Sequence, residues 1–185
     1  MYYVLSQVFV ALSDVFCILS MLSKKKKSIV LFLLLSTILF VIHYIFLGGW
    51  TGAAIGAVEL VYLILMYVLE ATGKTKYNIW LSLATMIATV TLSILTWANW
   101  FSLLPMIGMI EYLITMMFKN VIIVKSGTFI RIALNAAYMF LLKSYFGAAL
   151  SVAILVFAIV GIVRDGKSKE KETKKEVELS EVAEQ

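Results

Sequence analysis

Seven long apolar runs, separated by short charged or glycine-rich breaks, are the feature that most constrains how this chain folds. Each run approaches the roughly 20 residues that an α-helix needs to cross a ~30 Å hydrocarbon core. The chain has 185 residues, of which 62% are hydrophobic and 15% charged, and a soluble domain of that size could not bury so much apolar surface. We therefore predict an all-α polytopic membrane protein with seven transmembrane helices. The runs are residues 2–22, 28–47, 53–71, 79–96, 101–118, 127–142 and 146–163.

Basic residues give the predicted orientation, because short cytoplasmic loops of membrane proteins are enriched in Lys and Arg. With the N-terminus outside and the C-terminus inside, fourteen of the sixteen basic residues lie on the cytoplasmic side. Lys143 is left in an outer turn, and Arg131 lies within the sixth span. Trp and Tyr favour membrane interfaces and agree with this N-out, C-in orientation. Those at the predicted outer interface are Trp50, Trp97, Trp100 and Tyr145, and those at the inner one are Tyr77 and Trp80.

The composition changes abruptly after residue 164. Residues 165–185 mix both charge signs with almost no apolar content, so we predict a disordered cytoplasmic tail. Its early lysines either hold the anionic inner leaflet or serve only as a topology signal. Residues 1–164 form the predicted transmembrane domain, which consists of a first repeat (1–72), a linker helix (78–97) and a second repeat (101–164).

A phrase that is written twice predicts internal repetition. Residues 43–54 read HYIFLGGWTGAA and residues 138–149 read YMFLLKSYFGAA, each at a tight turn between two apolar runs. Three runs precede and three runs follow the fourth, so the phrases fall at corresponding places. We predict two parallel three-helix repeats joined by a linker helix, a 3+1+3 layout with an axis along the membrane normal. Such a layout places a cavity between the two halves.

The match between the two phrases predicts which residues correspond. Tyr44 is matched with Tyr138 and Gly52 with Gly147, which leaves one extra residue in the second copy. His43 then stands against an alanine. Because a specialised site is expected where symmetric halves diverge, His43 becomes a candidate site residue.

Several segments resemble the YgjV-type family of bacterial inner membrane proteins. They are IHYIFLGGWTGAA, WFSLLPMIGMIEYLITMMFKN with the arginine-bearing helix after it, and YMFLLKSYFGAA. The resemblance covers nearly all of residues 1–164, and its most specific elements are the His-Tyr-containing segment and the Leu-Pro-x-Ile-Gly segment at Leu104–Gly108. It implies a location in the bacterial inner membrane and carries no activity. The 3+1+3 layout is also similar to that of SWEET, PQ-loop and PnuC-type transporters, but in architecture only, since the chain has no Pro-Gln dipeptide.

Ionisable residues within the spans are the candidate binding residues, because a charge at membrane depth is costly unless it has a partner or a function. Asp14, Glu59 and Glu111 fall about midway along the first, third and fifth spans, and Arg131 falls about one turn into the sixth. We predict that the three carboxylates face the interior and that at least two line one cavity. The candidate solute-binding set is Asp14, His43, Glu59, Glu111, Arg131 and Asn135.

Two interpretations of this set stay open. In the functional one, the carboxylates bind a cationic or hydroxylated solute or take up a proton, and His43 is a proton acceptor near the outer end of the second span. In the structural one, Arg131 forms a buried ion pair with Glu111, and His43 hydrogen-bonds the backbone of a neighbouring helix. Asp14 and Glu59 have no evident basic partner, which favours the functional interpretation for them.

The sequence favours transport over catalysis. It has one histidine, one cysteine and no glycine-rich phosphate loop, so we expect no enzyme activity and no cofactor. Its basic residues flank spans, which argues against nucleic-acid binding. We predict transport of a small polar solute by two halves that rock around a midplane cavity. The alternative is a non-transporting receptor or an accessory subunit of a larger membrane complex. The expected partners are membrane lipids, an unknown polar solute and a second copy of the chain.

Overall fold

The backbone is helical through nearly its whole length. The structure, a computed structural model, describes residues 2–183, with side chains described for residues 3–74 and 76–167. Seven α-helices and two short 3-10 turns make up the regular elements of this part. The helices are α1 (Tyr2–Leu22), α2 (Lys26–Leu47), α3 (Trp50–Thr72), α4 (Asn78–Leu95), α5 (Leu103–Met116), α6 (Val121–Leu141) and α7 (Tyr145–Ala183), and the 3-10 turns are Thr75–Tyr77 and Trp100–Ser102.

Successive helices run alternately between two ends of the bundle. The hairpin end carries the tight α2–α3 turn at Gly48 and Gly49 and the tight α6–α7 turn at residues 142–144. The lysine end carries Lys24–Lys27, at the turn between α1 and α2 and in the first residues of α2. Which of these ends faces the cytoplasm stays a prediction from the distribution of basic residues.

Six of the helices are long and apolar enough to cross a membrane. The exception is α5, which has 14 residues. Together with the 3-10 turn before it, α5 spans about 27 Å. Its two ends nevertheless reach both ends of the bundle. At the hairpin end, the hydroxyl oxygen of Ser102, just before α5, lies 3.4 Å from the hydroxyl oxygen of Thr51. At the lysine end, the Met116 carbonyl accepts a hydrogen bond from Lys26.

Six helices form a ring, and α4 lies outside it. The order around the ring is α1, α2, α3, α5, α6 and α7, and α7 closes against α1. The main contacts of α4 are with α3 and α5. The ring therefore contains two consecutive three-helix groups, called here the first half (α1–α3) and the second half (α5–α7).

The two halves meet along two unlike seams. At the α1/α7 seam the backbones approach closely, because a Cβ atom on Gly161 would lie 2.6 Å from the carbonyl oxygen of Met21. At the other seam α3 contacts α5 directly, and α4 packs on both of them. Glycine at position 161 is therefore required by the closeness of α1 and α7.

Buried apolar side chains gather in two clusters. The hairpin-end cluster consists of Val10, Tyr44, Ala53, Tyr138, Met139 and Ala148. The larger lysine-side core draws on the lysine-end parts of α2, α3, α5 and α6 and includes Leu33, Tyr62, Met66, Tyr112 and Met116. Because lipid is as apolar as these side chains, close packing rather than the hydrophobic effect holds such clusters together.

The two tight turns have the same hydrogen-bond pattern. In each, the backbone N–H of the residue with positive φ donates to the carbonyl three positions back, and the N–H of the next residue donates to the carbonyl five positions back. This pattern is the Schellman motif. The bonds are Gly48 to Ile45 (3.2 Å), Gly49 to Tyr44 (3.0 Å), Lys143 to Phe140 (3.0 Å) and Ser144 to Met139 (2.9 Å). Gly48 and Lys143, which correspond in this pattern, both have positive φ.

This correspondence corrects the match made from the sequence. It carries Gly52 onto Gly147, as predicted, and it leaves no extra residue in the turn. However, it carries His43 onto Tyr138 and Tyr44 onto a methionine, so the predicted match of the two tyrosines is wrong. The position of the left-handed residue and its hydrogen bonds determines which residues of the two turns correspond. Identity of the amino acids does not determine it.

The segment predicted to be disordered is helical as far as the structure describes it. α7 continues without a break to Ala183, and residues 184–185 lie outside the described part. Lys and Glu are abundant in this segment and have high helix propensity, which explains the helical backbone. Asp165, the first residue of the predicted tail, forms an ion pair with Lys125 on α6. The predicted boundary at residue 164 is therefore too early for Asp165.

Exchanging the residue types at the two turns should shift stability in opposite directions. Lys143→Gly should raise Tm and Gly48→Ala should lower it, because a positive φ costs a residue with a Cβ atom about 1 kcal/mol. Nothing lies within 4 Å of a Cβ at Gly48 or at Gly166, so neither substitution causes a clash; Gly166→Ala, at a helical position without the positive φ, should leave Tm unchanged or raise it. Thermal unfolding in detergent measures all three, and a Gly48→Ala variant whose Tm is not lowered would contradict this account of the turns.

Single cysteines at the two ends should test the orientation. In a Cys17→Ser background, Trp50→Cys at the hairpin end should react with an impermeant thiol reagent added outside intact cells. Lys25→Cys at the lysine end should react only after the cells are opened. Both side chains are exposed, so access depends on the side of the membrane. The reverse pattern would invert the predicted topology.

Candidate functional site

A small, largely enclosed cavity lies inside the ring. It is lined by residues of all six ring helices and by none of α4. Its volume is about 40 Å³. A water molecule needs about 10–15 Å³ of such space, so the cavity holds roughly three waters.

A buried ion pair between the two halves lies at this cavity. The guanidinium of Arg131, on α6, donates a hydrogen bond to the carboxylate of Glu59, on α3. The two residues are only 8% and 6% exposed. Arg131 also lies over the ring of Tyr112, 4.6 Å from its centroid, and the hydroxyl of Thr37 hydrogen-bonds the Glu59 carboxylate. Each charge is thus neutralised where an isolated charge would be costly.

The partner of Arg131 differs from the predicted one because α6 begins earlier than predicted. The helix starts at Val121, so Arg131 lies about ten residues, or roughly 15 Å, into it. Glu59 lies at a similar distance from the start of α3, which is at the hairpin end of the bundle. Both residues therefore lie near the middle of the bundle, at the same depth. The structural alternative in which Arg131 pairs with Glu111 is therefore wrong in its partner, and Glu59 has the basic partner that the sequence did not reveal.

Three polar atoms at the cavity have no hydrogen-bond partner among the described residues. They are the Tyr44 hydroxyl, the Ser151 hydroxyl and Nε of Arg131. Buried polar atoms without partners are rare in folded proteins. The Arg131 Nε–H can only donate, whereas the hydroxyls donate or accept. Three such atoms around one small space indicate a place where water or a ligand accepts hydrogen bonds.

Two tyrosines with rings in contact lie where the cavity meets the hairpin end. The rings of Tyr44 and Tyr138, one from each half, are 5.7 Å apart between centroids. A Cβ on Gly52 would lie 3.0 Å from Tyr138 and 3.1 Å from Tyr44, so the absence of a side chain lets α3 pack closely against both rings. The Tyr138 hydroxyl accepts a hydrogen bond from the backbone N–H of Gly52, in the first turn of α3. Such a donor has no partner within its helix.

The structure brings together three of the six predicted site residues. Glu59, Arg131 and Asn135 line the cavity, with Asn135 one turn beyond Arg131 on α6. The contributions of Thr37, Tyr44 and Ser151 were missed by the sequence analysis. A search for hydroxyl side chains inside apolar spans would have included them, since each interrupts an otherwise apolar run.

The other three predicted residues lie elsewhere. Asp14 is buried, and neither of its carboxylate oxygens has a partner among the described residues. Glu111 is half-buried, with one such oxygen. His43 is fully buried, and its Nδ1 lies 2.9 Å from the carbonyl oxygen of Ser6 on α1, which is the structural alternative stated for it. Because Glu59 alone of the three carboxylates lines the cavity, the expectation of at least two is wrong for this cavity.

A family model described as bacterial inner membrane protein, Imp-YgjV, matches residues 4–169. The chain belongs to the Imp-YgjV family. Neither a curated protein nor a solved structure matches the chain. Family membership and the six helices long enough to span a membrane make this Imp-YgjV protein a multi-pass protein of the bacterial inner membrane. Both the family and the location agree with the sequence analysis.

A double-mutant cycle should reveal the strength of the Glu59–Arg131 pair. Glu59→Gln and Arg131→Met should each lower the stability by roughly 3–5 kcal/mol, because each leaves a buried charge unpaired. The double variant should be less destabilised than the sum of the two. Thermal unfolding in detergent measures the cycle. Strictly additive effects would mean that the two side chains do not interact.

Proposed function

We propose that this protein transports a small, neutral, polar solute through the central cavity, and that its two three-helix halves rock against each other to do so. The observation that carries the proposal is a cavity bounded by both halves and lined by unpartnered hydrogen-bond donors. Cavities of this kind, near mid-membrane at the interface between repeats, are where transporters built from repeats bind their substrates.

The order of the helices supports the parallel-repeat layout on which this mechanism depends. If α1–α3 are exchanged for α5–α7, the order of helices around the ring is unchanged. The matching hydrogen bonds of the two tight turns support the same correspondence. The position of α4 outside the ring suits a linker, whose role is to return the chain so that both halves start from one side.

The charges of the cavity favour a neutral solute. Glu59 and Arg131 are the charged residues in the described lining, and they neutralise each other. A cationic solute, which the sequence left open, would bring an unpaired charge into a site of low polarity, and that is costly. The unpartnered atoms, by contrast, donate hydrogen bonds to hydroxyl or carbonyl oxygens. We therefore favour polyols, sugars, nucleosides or amides as the class of solute.

The size of the cavity fits a state between two open ones. A volume of about 40 Å³ excludes any solute larger than a few waters. The hairpin-end cluster lies on one side of the cavity and the lysine-side core on the other. Solute entry therefore requires one of the two clusters to part, which is the step that rocking of the halves would supply.

A ligand screen followed by uptake measurements should test transport. The purified protein should gain thermal stability with at least one neutral member of a panel of sugars, polyols, nucleosides and amides, because a ligand of the folded state stabilises it. Polyamines and carboxylates serve as charged comparisons. Proteoliposomes containing the protein alone should then take up the stabilising compound. A protein that is unstable without a partner and takes up nothing would favour the accessory-subunit alternative.

Two tyrosine-to-phenylalanine variants should separate the cavity from the rest of the core. Tyr44→Phe removes an unpartnered hydroxyl that lines the cavity, so Tm should stay or rise while uptake falls by roughly tenfold, the loss of one hydrogen bond to the solute. Tyr112→Phe removes a hydroxyl that is equally buried and unpartnered but does not line the cavity. Its uptake should match that of the wild type. Equal effects of the two variants would remove the cavity from the transport path.

A further inference from the structure

Lys26 joins the two halves at the lysine end. Its ammonium group donates hydrogen bonds to the carbonyl oxygens of Met116 (3.0 Å) and Phe118 (3.1 Å), where α5 ends. It also forms an ion pair of 3.2 Å with Glu70, near the end of α3. The side-chain amide of Asn78 donates to the same Glu70 oxygen at 3.2 Å. A cation of the first half is thereby held against a helix end of the second half.

A second contact, of the same kind but with the halves exchanged, lies at the other seam. Arg164, on α7, donates a hydrogen bond to the carbonyl oxygen of Leu22 (2.8 Å), where α1 ends. Asp165 accepts from Arg164 at 3.2 Å and from the fully buried Lys125 at 2.6 Å. Here a cation of the second half is held against a helix end of the first.

The two contacts share a design. In each, a cation meets the last carbonyl groups of the first helix of the opposite half, where the helix leaves acceptors without partners and carries partial negative charge. In each, a carboxylate that lies twenty residues after the first residue of the third helix of a half holds the cation. Glu70 and Asp165 are related by the same spacing as Gly48 and Lys143 of the two turns. Lys26 and Arg164 do not have this spacing, since they lie on the second and the third helix of their halves. The same kind of contact is therefore made by residues at different positions in the two halves.

The hairpin end lacks such contacts among residues 3–74 and 76–167. The ion pairs of the described side chains lie either at the lysine end or at the central cavity. Instead, the hairpin end closes through the packed rings of Tyr44 and Tyr138 and through the Thr51 hydroxyl, which donates to the carbonyl oxygen of Thr96 at 2.6 Å. The two ends of the bundle therefore close by different chemistry.

We propose that the contacts of Lys26 with the Met116 and Phe118 carbonyls and of Arg164 with the Leu22 carbonyl are paired latches that keep the lysine end closed, one at each seam, and that both must release before the cavity opens to that side. Water can replace the cations at the helix ends, so release exposes polar groups without breaking the fold. The assignment of this step to a transport cycle rests on the proposed function. The latches themselves are testable without any solute.

Cys17 is a built-in reporter of this opening. It is the single cysteine of the chain, it is 2% exposed, and it lines the cavity. An impermeant thiol reagent placed on the lysine side of sealed vesicles reaches it only when the lysine end parts. The same reagent on the hairpin side reports opening of the other end.

The test compares two double variants that remove the same charge. Lys26→Gln with Arg164→Gln removes both latches, and Lys25→Gln with Lys167→Gln removes two exposed basic residues from neighbouring positions. We expect Cys17 of the latch variant to react at least roughly tenfold faster from the lysine side, because charge-assisted hydrogen bonds no longer favour the closed state. The control should react like the wild type. Each single latch variant should show a smaller increase, since the other latch remains.

The side of reaction distinguishes a released latch from a loosened protein. A latch variant that reacts no faster than the control, or faster from both sides alike, overturns the proposal. If the double variant does not yield folded protein, the two single variants, each against its own control, decide the question by the same criterion. Faster labelling from the lysine side without any uptake leaves the latches standing and removes the transport role. Uptake without any increase in labelling supports the transport role and overturns the latches.

Discussion

A positive charge at mid-depth in a membrane bundle must be neutralised nearby, and in this protein the neutralising group belongs to the other half of the chain. Arg131 and Glu59 stand on helices α6 and α3, which are not sequential, and their pairing sets the depth of one half relative to the other. The guanidinium further rests on Tyr112 and so ties α5 to the same point. Side chains that must reach across to form such a pair leave space beside it, and that space is the cavity. The site and the fold therefore depend on the same interaction.

On either side of this pair, the protein closes in different ways. Toward the hairpin end the closure is aromatic and depends on glycine, since Gly52 admits the rings of Tyr44 and Tyr138. Toward the lysine end a larger apolar core is backed by cations on helix ends. Contacts between cations and helix ends exchange readily with water, whereas contacts between packed aromatic rings do not. In the proposed rocking movement, this asymmetry would give the two open states different stabilities, even though the helix order of the two halves is the same.

Local composition was enough to predict the helices, and it was not enough to predict their partners. The seven apolar runs located all seven helices, because the length of a span depends only on consecutive residues. The start of α6 was placed too late because Lys125 reads as a loop residue until its partner Asp165, forty positions away, is known. The Glu59 partner was missed for the same reason. The tyrosine match failed because the left-handed residues Gly48 and Lys143, which define the shared turn, have no letter in common.

The position of α4 makes the two seams mechanically unequal. At the α1/α7 seam, Gly161 lies against the backbone of Met21, so these helices have no room to slide over side chains. The α3/α5 seam is instead bridged on its outside by a separate helix that shares no surface with the cavity. A movement that widens the cavity has to separate the closely packed helices α1 and α7 on one side, or α3 and α5 with the bridging helix α4 on the other. The two seams therefore resist opening by different means, close backbone packing at one and a bridging helix at the other.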